Sequence, residues 1–168
     1  MTRNAAREIA MHLSYELSFT DLGADELLDQ RLSASRFGQL APEYEVYGEL
    51  PNASQRAYIR QVVKGIAQHG YELDQYIEKY AMGWKFERIP LVACAIMRLA
   101  MYEILYMPDI PNGAAINEAV EIAKKYESSD VVRFINGILG SFVRKEAQET
   151  PAAVEGRKAA PEGPHPES

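Results

Sequence analysis

The sequence predicts an all-α protein of about seven helices in two packed helical subdomains, with a disordered C-terminal tail. Three observations predict it. Apolar residues recur at three- and four-residue spacings along most of the chain, the period of a helix with one buried face. No segment shows clean period-two alternation bounded by turn residues, so no sheet is expected. Composition shifts once, near residue 147: the stretch AQETPAAVEGRKAAPEGPHPES has no aromatic residue and only Val154 as a large aliphatic. Such a stretch cannot bury enough apolar surface to offset the entropy of ordering, so 147–168 is read as a tail.

Taken in order, Asn4 to Phe19 sets Ile9, Leu13 and Leu17 beside Met11, Tyr15 and Phe19 on a wide apolar stripe. Asp25 to Leu32 reads as a short second helix, and SASRFGQLAPEYEVYGELP as a loop punctuated by Gly and Pro. Asn52 or Ser54 can cap a helix running to about Gly70, and Tyr71 to Tyr80 reads as a separate short helix after that glycine. Pro90 suits the first turn of a helix from Ile89 to Tyr106, apolar nearly all round and therefore central. Pro108 and Pro111 separate it from Ala114–Tyr126, and Ser129 or Asp130 caps a last helix carrying Val131, Phe134, Ile135, Ile138, Leu139 and Phe142. The body, 1–146, divides into subdomains of about 1–70 and 71–146.

The chain has 168 residues, about one domain's worth, and is 47% hydrophobic and 25% charged. Eighteen basic against twenty-four acidic residues give a net charge of −6, which argues against nucleic-acid binding through bulk charge. One cysteine and three scattered histidines make neither an internal disulfide nor a structural zinc site. No apolar run approaches the roughly 18 to 20 residues of a membrane span, and MTRNAAREIA lacks the apolar block of a signal peptide. A soluble, cytoplasmic protein with no membrane contact is expected.

Enzymatic signals are thin. Phosphate-cradle, paired-metal and nucleophile-elbow motifs are absent from the sequence. No catalytic residue, metal or cofactor is therefore expected. Cys94 reads as a small buried hydrophobe, His12 as an exposed partner of Glu8 and Glu16, and His69 as a cation at a helix C-terminus. Seven acids between Thr20 and Leu50 against Arg31 and Arg36 read as a solvated face. Basic residues meet aromatic ones twice. Arg3 and Arg7 share a face of the first helix, and Lys124, Lys125 and Tyr126 precede Arg133 and Phe134 across the ESSD loop. Cations on phosphates and flat side chains on bases hold single-stranded RNA. Each cluster reads first as helix-end electrostatics and packing, and only second as an RNA contact.

The run from Trp84 to Arg144 contains IMRLAMYEILYMPDIPNGAAINEAVEIAKKY and then RFINGILGSFVR. It closely resembles the NusB family of transcription antitermination factors in R-x-A-x-Y-E, DIP, AINEAVE-x-AKKY and FINGIL, together and in order. The opening AREIAMHLSYELSF is similar to the family's first helix. The resemblance covers about residues 1–146.

It implies a non-catalytic adaptor. Such a protein pairs with the ribosomal protein NusE, binds boxA-type single-stranded RNA of nascent ribosomal RNA transcripts, and joins an RNA polymerase antitermination complex. Carried over, the RNA-binding positions are Arg3, Arg7, Tyr126, Asp130, Arg133 and Phe134, and the partner-facing ones Tyr15 and Glu87. Asn4, Ala5 and Ala6 stand where many relatives are densely basic, which leans RNA affinity on the partner. Asn117, Asn136 and Gly137 read as structural: amides that tie helix backbone, and a glycine for close helix approach. Two alternatives remain, an interaction module without RNA binding and a domain related to RNA methyltransferases.

Overall fold

The computed structural model describes residues 1–147. The tail expected over 147–168 lies, beyond its first residue, outside them. Seven α-helices form: α1 (Arg3–Leu17), α2 (Ala24–Arg31), α3 (Ala34–Leu40), α4 (Ala53–Tyr80), α5 (Leu91–Tyr106), α6 (Asn112–Tyr126) and α7 (Ser129–Glu146). Two single 3₁₀ turns, Glu45–Tyr47 and Phe86–Arg88, punctuate the connections, and no strand occurs among the described residues. The all-α class is borne out, but two helices differ from expectation. The stretch read as a loop contains α3, capped where the Ser33 hydroxyl accepts from the Arg36 N–H at 3.2 Å and anchored by buried Phe37. The two helices expected on either side of Gly70 are one, α4. Gly70 lies in its interior with open space where a Cβ would stand, and the apolar series Ile59, Val62, Val63, Ile66, Leu73, Ile77 keeps its phase through it.

The chain divides into two compact units, Met1–Leu73 and from Asp74 onward. In the first, α1 starts at Thr2, whose hydroxyl accepts from the Ala5 N–H at 3.1 Å. Its buried stripe of Ala6, Ile9, Ala10 and Leu13 shares the unit's core with Leu27 and Leu28 of α2 and with Ile59, Val62 and Val63 of α4. The seven acids of the 20–50 region are all exposed, as a solvated face requires, and some of them pair across it. Asp25 pairs with Arg60 and Lys64, and Asp29 with Arg60; Arg31 of the same region turns instead to Glu16 of α1. The salt bridge from Lys64 and Arg60 holds the Asp25 carboxyl below the ordinary carboxylate range. His12 is half-buried rather than exposed. Its Nδ1 lies 2.8 Å from the Tyr47 hydroxyl and its ring stacks on Tyr47. His69 sits inside α4, 3.5 Å from Glu72, and not at a helix end.

In the second unit α5 is central, packed against α6 and α7, with eleven of its sixteen residues buried. Arg98 of α5 holds Asp74 with two parallel bonds, Nε to Oδ1 at 2.5 Å and Nη2 to Oδ2 at 3.0 Å. Cys94 is buried as expected, and burial pushes its thiol up to about 11. Asn112 at the start of α6 donates to the Ala147 carbonyl at 2.9 Å, tying down the end of α7. Asn117, Asn136 and Gly137 are all exposed, and a Cβ at Gly137 would meet nothing within 4 Å. The expected close approach of a helix to Gly137 is therefore absent: its missing side chain fills no packing need.

Candidate nucleic-acid interface

The junction of α6 and α7 gathers the second-unit candidates. Tyr126, half-exposed, is the last residue of α6. Two residues later Ser128 caps α7, its hydroxyl accepting from the Val131 N–H at 3.4 Å, one position before the caps expected. Asp130 then falls in the first turn, where its carboxylate offsets the exposed N–H groups of the helix start. Asp130 pairs with Arg133 three residues on, and both are largely exposed, at 79% and 74%. A pair this exposed is held weakly, so the guanidinium can exchange its partner for a phosphate at little cost. Between the two helices, burial pushes the Glu127 carboxyl above its ordinary range.

Phe134 follows Arg133 and is half-exposed. It does not stand alone. The Trp84 indole lies over it, ring centroids 4.6 Å apart with planes tilted by 33°. Trp84 was not among the expected site residues. Its signal in the sequence was a lone tryptophan directly after Gly83, in a short stretch between helices.

Arg3 and Arg7 correct the picture of an exposed arginine face. Both are buried, and Arg7 has no exposed surface. The Arg3 guanidinium lies 3.8 Å from the centre of the Tyr58 ring, and Arg7 Nη1 donates to Asn4 Oδ1 at 2.9 Å. The four-residue spacing does put them on one face, but that face is turned towards α4. Arginine packs its long stem as readily as it displays its charge, and spacing alone does not separate the two uses.

The partner-facing candidates fall in different units. Tyr15 is half-exposed, edge-on to Phe19 at 5.0 Å, and Phe19 is 62% exposed just past the end of α1. Glu87 is exposed in the 3₁₀ turn before α5, with Lys85 and Arg88 exposed beside it. Among the described residues no group of His, Cys, Asp and Glu could hold a metal ion, and no helix is long and apolar enough to cross a membrane.

Seven α-helices, with no strand among the described residues, define an all-helical architecture that solved structures share. The structure of T. maritima NusB matches with a TM-score of 0.74 and 25% identity, over 92% of this chain and 98% of that one. A NusB chain crystallised with NusE and dsRNA matches with a TM-score of 0.65 at 22% identity, over 84% of this chain and 96% of that one. The NusB family model matches residues 4–144, and the chain belongs to the NusB family. Among its relatives, the transcription antitermination protein NusB of Acetivibrio thermocellus is 42% identical over 144 residues, 86% of this chain and 90% of that protein. The protein of the same name from Symbiobacterium thermophilum is 38% identical over the same shares.

Proposed function

We propose that this protein is a transcription antitermination factor. It pairs with the ribosomal protein NusE, binds boxA-type single-stranded RNA of nascent ribosomal RNA transcripts, and joins the RNA polymerase antitermination complex as an adaptor without catalysis. The observation that carries the reading is the 42% identity, over 86% of the chain, to a protein named for transcription antitermination. The NusB chain crystallised with NusE and dsRNA supports NusE as the partner and RNA as the class of ligand.

The junction of α6 and α7 is the RNA face in this reading. Arg133 supplies a phosphate contact by exchanging Asp130 for the phosphate, and Phe134 and Tyr126 supply flat surfaces. Exposed rings can stack only on bases that are free of a duplex, which favours the single strand as ligand. Tyr15 and Glu87 are the NusE contacts, with Phe19 enlarging the apolar surface around Tyr15. Arg3 and Arg7 shape the start of α1, and contact with RNA from either requires the side chain to leave its buried site.

Co-purification from the native cell tests the reading. NusE and ribosomal RNA leader sequences should come along with the tagged protein. Recovery of the protein with neither would contradict it.

A further inference from the structure

We infer that Trp84 is a second base-stacking residue of the RNA face, forming with Phe134 a two-ring shelf for one unpaired nucleobase. The inference rests on the RNA reading above and goes beyond it, since neither the motifs nor the family resemblance pointed to Trp84.

The indole is held in place by its backbone. Gly83 takes a φ of +82°, a left-handed conformation that a side chain would strain, and the Trp84 N–H then bonds back to the Ala81 carbonyl at 3.3 Å. This turn delivers the indole to Phe134, where the rings lie 4.6 Å apart and Trp84 stays 41% exposed. A core tryptophan buries its ring. One that pairs with another ring and still leaves so much apolar surface in water is set up to receive a further flat group.

The surroundings favour a nucleobase over a protein side chain. Arg133 precedes Phe134 in the chain, and Lys85 and Arg88, both exposed, follow Trp84, so each ring has a cation near it in sequence for a flanking phosphate. Gly137 lies one turn beyond Phe134 with nothing within 4 Å of its missing Cβ, which leaves the flank of the shelf open. Glycine is a poor choice inside a helix and serves no packing here. Room for a ligand beside Phe134 gives it a purpose.

Trp84 is the only tryptophan, so its emission reports on the shelf directly. The experiment titrates boxA-type single-stranded RNA into the preformed complex with NusE, using wild type, Trp84→Ala, Trp84→Phe and Arg133→Ala. Thermal midpoints and NusE affinity are measured for each, and the Trp84→Phe complex supplies the partner's background emission. Saturating RNA should quench Trp84. Trp84→Ala should weaken RNA binding about tenfold, the scale of one base stacked on an aromatic ring, and Trp84→Phe should restore most of it.

If Arg133→Ala weakens RNA binding while Trp84→Ala does not, the shelf is wrong and the RNA reading stands. If Trp84→Ala lowers NusE affinity and leaves RNA binding to the formed complex unchanged, Trp84 is a protein contact and the inference falls. If the wild-type complex binds no RNA, the reading and the inference fall together. Should Trp84→Ala lower the thermal midpoint, the quench and the Trp84→Phe rescue decide: no quench and no rescue overturn the shelf.

Discussion

Arg7 Nη1 donates to Asn4 Oδ1 at 2.9 Å from a side chain with no exposed surface. The bond spans one turn of α1 and fixes a guanidinium inside the first unit, so charge there serves the fold. Arg7→Ala should therefore destabilise the protein by about 2–3 kcal/mol, from the lost hydrogen bond to a charged group and the lost packing of the stem. Urea denaturation of the free protein checks this. A change under about 0.5 kcal/mol, the range of a surface substitution, would show that the guanidinium is not integrated into the core.

Gly70→Ala should act in the opposite direction. The residue lies inside α4 with open space at its Cβ position, so alanine recovers helix propensity and strains nothing. A gain of about 1 kcal/mol is expected in the same denaturation experiment, and a loss would mean that α4 bends or breaks at this point.

These two residues show what the sequence made legible and what it hid. The helical class, the central apolar α5 and the buried Cys94 followed from period and composition, because burial of an apolar face dominates both. Glycine often ends helices, which makes Gly70 look like a stop, yet the apolar series on either side keeps one phase, and phase is the better guide. The α3 helix was hidden because its seven residues bury only Phe37, too few for a period. At the proposed RNA face, the chain-local cluster from Tyr126 to Phe134 is legible, whereas Trp84 meets Phe134 from fifty residues away. No pattern of spacing reports that kind of contact.

Cys94 gives a pH-dependent test of the second unit. Its folded thiol titrates at about 11 against an ordinary 9.0, so the folded state keeps its proton where the unfolded chain has lost it. The associated stability is fully present below pH 9 and is lost as pH rises towards 11. A shift of this size leaves about a hundredfold less thiolate at pH 8. Alkylation by iodoacetamide at pH 8 should then be at least about a hundredfold slower in the native protein than in urea. Comparable rates would mean that α5 opens readily.

Arg133→Ala should leave the fold within about 0.5 kcal/mol, because the Asp130–Arg133 pair is exposed. In the NusE complex it should remove one phosphate contact, and the slope of log affinity against log salt should become shallower by about 0.7 for a single strand. An unchanged slope, with affinity also unchanged, would remove Arg133 from the RNA face.

In the proposed reading RNA binding belongs to the pair with NusE rather than to this chain alone, since residues 1–146 hold 16 basic against 20 acidic residues and both arginines of the first helix are buried. A mobility-shift titration with boxA-type single-stranded RNA, run with and without NusE and repeated with the RNA annealed to its complement, measures this directly. Weak binding alone, clearly tighter binding with NusE, and preference for the single strand are expected. Equal affinity with and without NusE would show that this chain binds the RNA by itself.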